Sequence, residues 1–420
     1  MSKFVIVGQN SLEGSISVDG SKNSSLPILA ATLLAQGCST IYGIPSLADI
    51  QNMCNILKCL GAEVSTAKGG ASGLGLTISC KKLNPDVSQC ENTGLIRASF
   101  LVAGPLLARC KKVKISMPGG CPIGLRPVDL HLKGFHALGA KISTGHGFIE
   151  AKCKNLTGAV IYLDFPSVGA TENLMMAASL ATGQTIIENA AIEPEIVDLA
   201  NFINAMGGQI TGAGTDLIKI SGVKELDGQG YTVIPDRIEA GTYAVAAAMT
   251  NSKIQINNVI PGHLKPMIAK MRETGIEITE GDSQITVNAA DKIKAADIKT
   301  LPYPGFPTDM QAPFSSLMTV ASGTSIIVET IFENRFLHIS ELAKMGANIK
   351  AEGRTVVIEG VKSLTGAKVR AYDLRGGAAL VLAALASEGE TEISGIEHID
   401  RGYLKLDEKL STIGVNIIRV

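Results

Sequence analysis

Leu60-Gly61-Ala62-Glu63-Val64 joins the end of one element to the start of another. A helix-like run ends at Leu60, a single glycine follows, and apolar and polar residues then alternate as in a strand. Glycine just past a helix fits a left-handed C-terminal cap. The same passage returns as Leu138-Gly139-Ala140-Lys141-Ile142, Met206-Gly207-Gly208-Gln209-Ile210, Thr274-Gly275-Ile276-Glu277-Ile278, Met345-Gly346-Ala347-Asn348-Ile349 and Ile413-Gly414-Val415-Asn416-Ile417. The glycines at 61, 139, 207, 275, 346 and 414 are separated by 78, 68, 68, 71 and 68 residues. A recurrence that regular marks six copies of one supersecondary unit.

Each copy carries a second, more apolar run upstream, beginning near Leu26, Ala98, Leu174, Tyr243, Ala312 and Ala378. Leu380-Val381-Leu382-Ala383-Ala384-Leu385-Ala386 has no polar face, and a helix apolar all round is buried all round. Short β-rich stretches such as Lys253 to Asn258 and Thr324 to Glu329 lie between. Each unit therefore reads βαβαββ. The expected fold is α/β, with two inside-out α/β barrel domains of three units each, helices inside and sheets outside. The seam is expected near Ile234-Pro235. Residues 22–234 would form one domain, and 1–21 plus 235–420 the other. Two chain crossings would then hinge a cleft that closes on substrate and excludes water.

At 420 residues the chain exceeds one ordinary core. Apolar residues make up 45% and charged residues 18%, a balance typical of soluble proteins. The net charge of -1 leaves no basic excess for nucleic acid, and with no Trp and 4% aromatics stacking platforms are scarce. Apolar runs such as Leu26 to Ala35 fall short of the ~20 residues that span a bilayer. The start, Met-Ser-Lys-Phe-Val-Ile-Val-Gly, is too short an apolar stretch for a signal peptide, so a cytoplasmic protein is expected. The eight cysteines show no Cys-x-x-Cys, so neither a zinc site nor a disulfide framework is expected.

Chemistry gathers in two places. Met117-Pro118-Gly119-Gly120-Cys121-Pro122-Ile123-Gly124-Leu125-Arg126 sets one thiol in a loop too rich in Gly and Pro for helix or strand, with a guanidinium five residues on. Fixed positive charge can lower a thiol pKa and ready it for proton or nucleophile chemistry, although an inert loop cysteine reads equally well. The second place is the start of each buried helix. Lys22, Arg97, Arg237 and Arg375 stand there, among Ser, Thr, Asp and Asn. Helix N-termini attract anions, and N-capping explains Thr171 or Thr308 but not these cations. With near-zero net charge, this points to small polyanionic ligands. Asp309, in Phe306-Pro307-Thr308-Asp309-Met310-Gln311, reads as a general base, a cap, or both.

Over its whole length the sequence resembles the UDP-N-acetylglucosamine enolpyruvyl transferases (1-carboxyvinyltransferases) of the EPSP synthase family. The motifs that carry the resemblance are Gly-Ser-Lys-Asn at 20–23, Pro-Gly-Gly-Cys-Pro-Ile-Gly at 118–124, Arg-Pro-Val-Asp-Leu at 126–130, Ser-Val-Gly-Ala-Thr-Glu-Asn at 167–173, Pro-Asp-Arg-Ile-Glu at 235–239, Phe-Pro-Thr-Asp-Met-Gln at 306–311, Phe-Glu-Asn-Arg-Phe at 332–336 and His-Ile-Asp-Arg-Gly-Tyr at 398–403. The sister enzyme that makes enolpyruvylshikimate phosphate shares the fold and phosphoenolpyruvate but not the cysteine loop.

The resemblance implies transfer of enolpyruvyl from phosphoenolpyruvate to the 3-hydroxyl of UDP-N-acetylglucosamine with release of phosphate. That is the committed step of peptidoglycan synthesis, on which cell-wall growth, cell shape and division depend. It implies small-molecule substrates and no metal or organic cofactor; the oligomeric state stays open, with a monomer expected. Residue by residue it implies Cys121 as the acid that protonates C3 and can be captured covalently, and Asp309 as the base. It implies Lys22, Asn23, Arg126, Arg375 and Arg401 around phosphoenolpyruvate. Around the nucleotide sugar it implies Arg97, Arg126, Pro127, Val128, Asp129, Leu130, Ser167, Val168, Asp309 and Ile331. The sequence departs from the family at Pro122, where Ala is more usual, and at Phe165-Pro166, where some relatives carry a basic residue near the diphosphate. Two other readings stay open: a 3-phosphoshikimate-type enolpyruvyl transferase and a non-catalytic paralogue that binds nucleotide sugar.

Overall fold

All six marker glycines adopt left-handed backbone, with φ of 97° at Gly61, 94° at Gly139, 100° at Gly207, 93° at Gly275, 90° at Gly346 and 100° at Gly414. Each lets a helix end and the chain reverse into a strand without the strain a Cβ would bring. The computed structural model describes residues 2–8, 11–67, 74–90, 97–117, 123–124, 127–145, 147–289 and 292–420.

The chain divides into two units. A middle unit comprises Gly20–Gly120 and Arg126–Ile234, and a terminal unit comprises Met1–Asp19, Cys121–Leu125 and Pro235–Val420. The change-over thus falls at Asp19/Gly20 and not at Ser21/Lys22. Ser21 donates its backbone N–H to Ile234 O at 2.7 Å, and a Cβ on Gly20 would lie 1.8 Å from the Gly43 carbonyl oxygen, so both residues pack in the middle unit. Asp19 belongs to the terminal unit. Its N–H donates to Glu239 Oε2 at 2.8 Å, and its carboxylate takes Lys409 Nζ at 2.8 Å. Ile123 also groups with the terminal unit, its carbonyl accepting from Asn334 N at 2.9 Å.

The middle unit holds helices α1 (Lys22–Ala31), α2 (Ala48–Cys59), α3 (Ala103–Cys110), α4 (Asp129–Ala137), α5 (Val168–Ala178) and α6 (Pro194–Ala205). The terminal unit holds α7 (Arg237–Met249), α8 (Lys265–Glu273), α9 (Gln311–Thr319), α10 (Ile339–Lys344), α11 (Leu374–Ala386) and α12 (Leu406–Ser411). The odd-numbered helices are the buried ones. In α11 every residue from Leu374 to Leu385 is buried, and α7, α9 and α11 pack against one another. These helices start several residues before their apolar runs because the caps lie upstream. Asp373 accepts from Arg375 N and Gly376 N, Asp236 from Ile238 N and Glu239 N, and Ser167 from Ala170 N.

The second buried helix differs from expectation. Arg97–Val102 is 3₁₀, and the α-helix begins only at Ala103. Pro105 cannot donate to Leu101 and would clash with that carbonyl in an uninterrupted α-helix.

Among the described residues the strands form six sheets, three per unit, one for each repeat. Gln184–Glu188 shows the shared pattern. It pairs in parallel with Val160–Tyr162, and antiparallel with Leu217–Ser221, which pairs antiparallel with Gln209–Thr211. The chain start completes the last repeat: Lys3–Val7 pairs antiparallel with Glu390–Ser394, Lys3 opposite Ser394, and with Asn416–Arg419. Strands alternate buried and open positions, as in Lys253–Asn257, whose Ile254 and Ile256 face the helices. Each unit is therefore an inside-out α/β barrel. Among the described residues no helix is long and apolar enough to cross a membrane.

One expectation needs correction. Cys59, at the end of α2, and Cys90 form a disulfide with Cα atoms 5.8 Å apart. The reversal at Gly61 brings back a partner 31 residues away, a pairing that spacing alone does not reveal. Cys54, Cys80, Cys110 and Cys153 are free thiols that burial pushes up, Cys54 to about 11, which suits structural roles.

Candidate active site

In the terminal unit a cluster of charged groups surrounds Asp309. Thr308–Met310 is a short 3₁₀ turn after Pro307 that leads into α9. The Asp309 carboxylate lies between two guanidiniums. Arg335 Nη2 donates to Oδ1 at 2.6 Å, and Arg375 donates from Nη2 at 2.9 Å and Nε at 3.2 Å to Oδ2. The cations are nearly buried, at 5% and 3% side-chain exposure, while a quarter of the Asp309 side chain remains open. Burial alone would raise the Asp309 carboxyl, but Arg375 and then Arg335 more than reverse it and hold the group well below the ordinary carboxylate range. Asp309 is thus an anchored anion, and a weak base while both guanidiniums hold it.

Around it, Arg335 Nη1 donates to Thr308 Oγ1 at 3.1 Å, and Thr308 donates to Glu329 Oε2 at 2.8 Å. Glu329 is fully buried. Its other oxygen accepts from Thr300 Oγ1 at 2.9 Å and from the Ile331 N–H at 2.8 Å, so the same carboxylate that orders Thr308 also fixes Ile331. The Arg375 guanidinium lies 5.3 Å from the Tyr403 ring centroid. Arg401 is half-buried two residues before Tyr403, in a turn whose Gly402 abuts Leu374 at the start of α11. The terminal unit therefore brings Asp309, Arg375 and Ile331 into one network and puts Arg401 in a neighbouring turn.

In the middle unit, Lys22 is the first residue of α1, which Ser21 caps, and its Nζ lies 3.4 Å from Asp49 Oδ2. Asn23 is half-buried beside it. Arg97 opens the 3₁₀ segment that packs against α1, and its Nη2 donates to Pro127 O at 3.0 Å. Pro127 is followed by buried Val128 and by Asp129 and Leu130, the first residues of α4. His131, next along α4, accepts a hydrogen bond at Nδ1 from Asn173 Nδ2 at 3.0 Å, and a Cβ on Gly169 would stand 3.4 Å from the ring. Ser167 and Val168, at the start of α5, therefore adjoin the start of α4. Burial and then the Arg97 charge push His131 down to about 3, so the ring is neutral. Cys121 and Arg126 lie outside the described residues.

Sequence reasoning missed Arg335, Glu329, Asp49 and His131. Arg335 stands in the Phe-Glu-Asn-Arg-Phe motif, whose charge had an obvious partner in Asp309 only once the fold joined them. The cations at helix starts were expected to await anions. In this structure Arg375 is held by Asp309, and Asp49 stands close to Lys22. Phe165 is exposed, with Asp164 beside it paired to Lys133 at 2.7 Å.

A family model described as EPSP synthase (3-phosphoshikimate 1-carboxyvinyltransferase) matches residues 6–410. The chain belongs to the EPSP synthase family. Within it, similar relatives carry a different substrate in their names. UDP-N-acetylglucosamine 1-carboxyvinyltransferase 1 of Caldanaerobacter subterraneus subsp. tengcongensis is 57% identical over 99% of both chains. UDP-N-acetylglucosamine 1-carboxyvinyltransferase 2 of Carboxydothermus hydrogenoformans is 55% identical over the full length of both. Among solved structures of the family fold, the enolpyruvyl transferase NikO from Streptomyces tendae superposes with a TM-score of 0.89 at 23% identity, over 100% of this chain and 99% of that one. EPSP synthase from Acinetobacter baumannii superposes at 0.76 and 19% identity over the full length of both.

Proposed function

We propose that this chain transfers the enolpyruvyl group of phosphoenolpyruvate to the 3-hydroxyl of UDP-N-acetylglucosamine, releasing phosphate, in the committed step of peptidoglycan synthesis. The observation that carries this reading is end-to-end identity of 57% and 55% with relatives of that name. The two chemically distinct clusters, one per unit, suit it.

In the proposed reaction the sugar O3 attacks C2 of phosphoenolpyruvate and forms the new C–O bond. The O3 proton passes to Asp309, and the Cys121 thiol delivers a proton to C3. Elimination then breaks the C2–O bond to phosphate, removes one C3 proton and restores the double bond. General acid–base help of this kind is worth ~10²–10⁴ in rate. Lys22, Asn23, Arg126, Arg375 and Arg401 would hold the phosphate and carboxylate of phosphoenolpyruvate. Arg97, Arg126, Pro127, Val128, Asp129, Leu130, Ser167, Val168, Asp309 and Ile331 would hold the nucleotide sugar. No metal or organic cofactor enters the scheme, and the enzyme would work in the cytoplasm.

Mass spectrometry of the product formed in deuterium oxide tests this. The expected species is UDP-N-acetylglucosamine carrying an added enolpyruvyl group with deuterium at its methylene carbon. An unlabelled product would remove the proton delivery to C3. Recovery of both substrates unchanged would favour a non-catalytic, nucleotide-sugar-binding protein.

A further inference from the structure

His338 is only 2% exposed, three residues after Arg335 and directly before α10. Among the described residues, neither of its ring nitrogens has a hydrogen-bond partner. A buried polar group left unmet is costly, so a native site rarely keeps one without a use. Arg335 presents the complementary gap. Its two Nη atoms are committed to Thr308 and Asp309, while its buried Nε–H has no acceptor among the described residues. Donor and acceptor are both buried and stand three residues apart on the segment that leads into α10. α10 packs on α11, and a Cβ on Gly376 would lie 3.2 Å from the His338 Cβ. The ring thus sits behind the α11 start that carries Arg375.

The carboxylate at the centre has the opposite excess. Asp309 is held by two guanidiniums and is a poor proton acceptor for as long as both remain. We propose that His338 is a positioning residue for the transfer: its imidazole accepts the Arg335 Nε–H once substrate is bound, drawing that guanidinium off Asp309 and freeing a carboxylate oxygen for the hydroxyl proton. Arg375 stays on the other oxygen and fixes the carboxylate. The ring can accept because it is uncharged. Burial pushes it down to about 4, with Asp373 opposing and Arg335 adding to that push. No proton moves to or from His338 in this scheme.

This inference rests on the proposed function and on Asp309 as the base, and two variants with one spectroscopic readout test it. His338→Leu removes the acceptor, whereas His338→Gln restores one of similar reach. The expected result is a fall in kcat of about 10² for His338→Leu, the scale of a misplaced catalytic group, with KM for both substrates essentially unchanged. His338→Gln should regain most of that loss. In protein labelled with ¹⁵N-histidine, one His338 ring nitrogen should shift when UDP-N-acetylglucosamine is added, and the ring should stay neutral. A His338→Leu enzyme with wild-type kcat, an unmoved ring signal, or equal loss in both variants with matching drops in melting temperature would overturn the proposal. Wild-type protein with no turnover would instead overturn the proposed function.

Discussion

Replacing Asp309 by Asn keeps the shape of the side chain and removes its charge, so two consequences separate cleanly. The first is stability. Arg335 and Arg375 are nearly buried and share this one anion. Removing one partner of a buried ion pair costs about 3–5 kcal/mol, most of it from the charge left behind. The substituted amide still offers one oxygen, and a quarter of the position is open to water. The expected cost is therefore smaller, about 2–3 kcal/mol. For a unit of roughly 210 residues, at about 2–4 °C per kcal/mol, the terminal unit should melt about 5–10 °C lower. The second consequence is turnover. Loss of the general base should lower kcat by ~10²–10⁴, equal to about 3–5 kcal/mol of barrier. Calorimetry gives the first number, and steady-state phosphate release at 25 °C, where the variant is folded, gives the second. Wild-type turnover in a variant that melts as predicted would make Asp309 purely an ion-pair partner. An unchanged melting temperature would refute the electrostatic reasoning itself.

Arg335→Met removes one of the two cations that depress the Asp309 carboxyl, so its pKa should climb toward the ordinary ~3.9 or above. The acid limb of kcat/KM should then move to higher pH, as a pH–rate profile would record, and a profile identical to wild type would contradict the assignment. His131 has a folded value of about 3 against ~6.5 when unfolded. Its contribution is complete above pH ~6.5 and is lost as pH falls toward 3, because only the unfolded chain takes the proton. Urea unfolding of the middle unit should show about 2 kcal/mol of this loss by pH 5, and His131→Asn should flatten the slope. The Cys59–Cys90 disulfide closes a loop of 31 residues, so the chain-entropy argument assigns it about 3–4 kcal/mol. Dithiothreitol should lower the melting temperature of the middle unit and leave the terminal unit alone, and no shift would mean that the pair does not cross-link the protein in solution.

The repeats were legible because they rest on local rules. Gly61 and its five counterparts mark places where only a residue without a Cβ reverses the chain cheaply, and Leu380 to Leu385 can only be buried. Helix starts were displaced because apolarity reports the core, whereas capping by Asp373 or Asp236 sets the boundary. What stayed hidden depends on distant partners. Lys3 pairs with Ser394, Cys59 bonds Cys90, and Arg335 meets Asp309, and none of these has a local signal. The same limit applies to the site. Polar residues at the starts of the buried helices announced a place for anions, but only the fold showed that Asp309 already holds Arg375 and Arg335.

The most direct test is phosphate release from phosphoenolpyruvate with three acceptors side by side: UDP-N-acetylglucosamine, shikimate 3-phosphate and none. Steady release is expected with the nucleotide sugar alone. Release driven by shikimate 3-phosphate, or by neither acceptor, would contradict it.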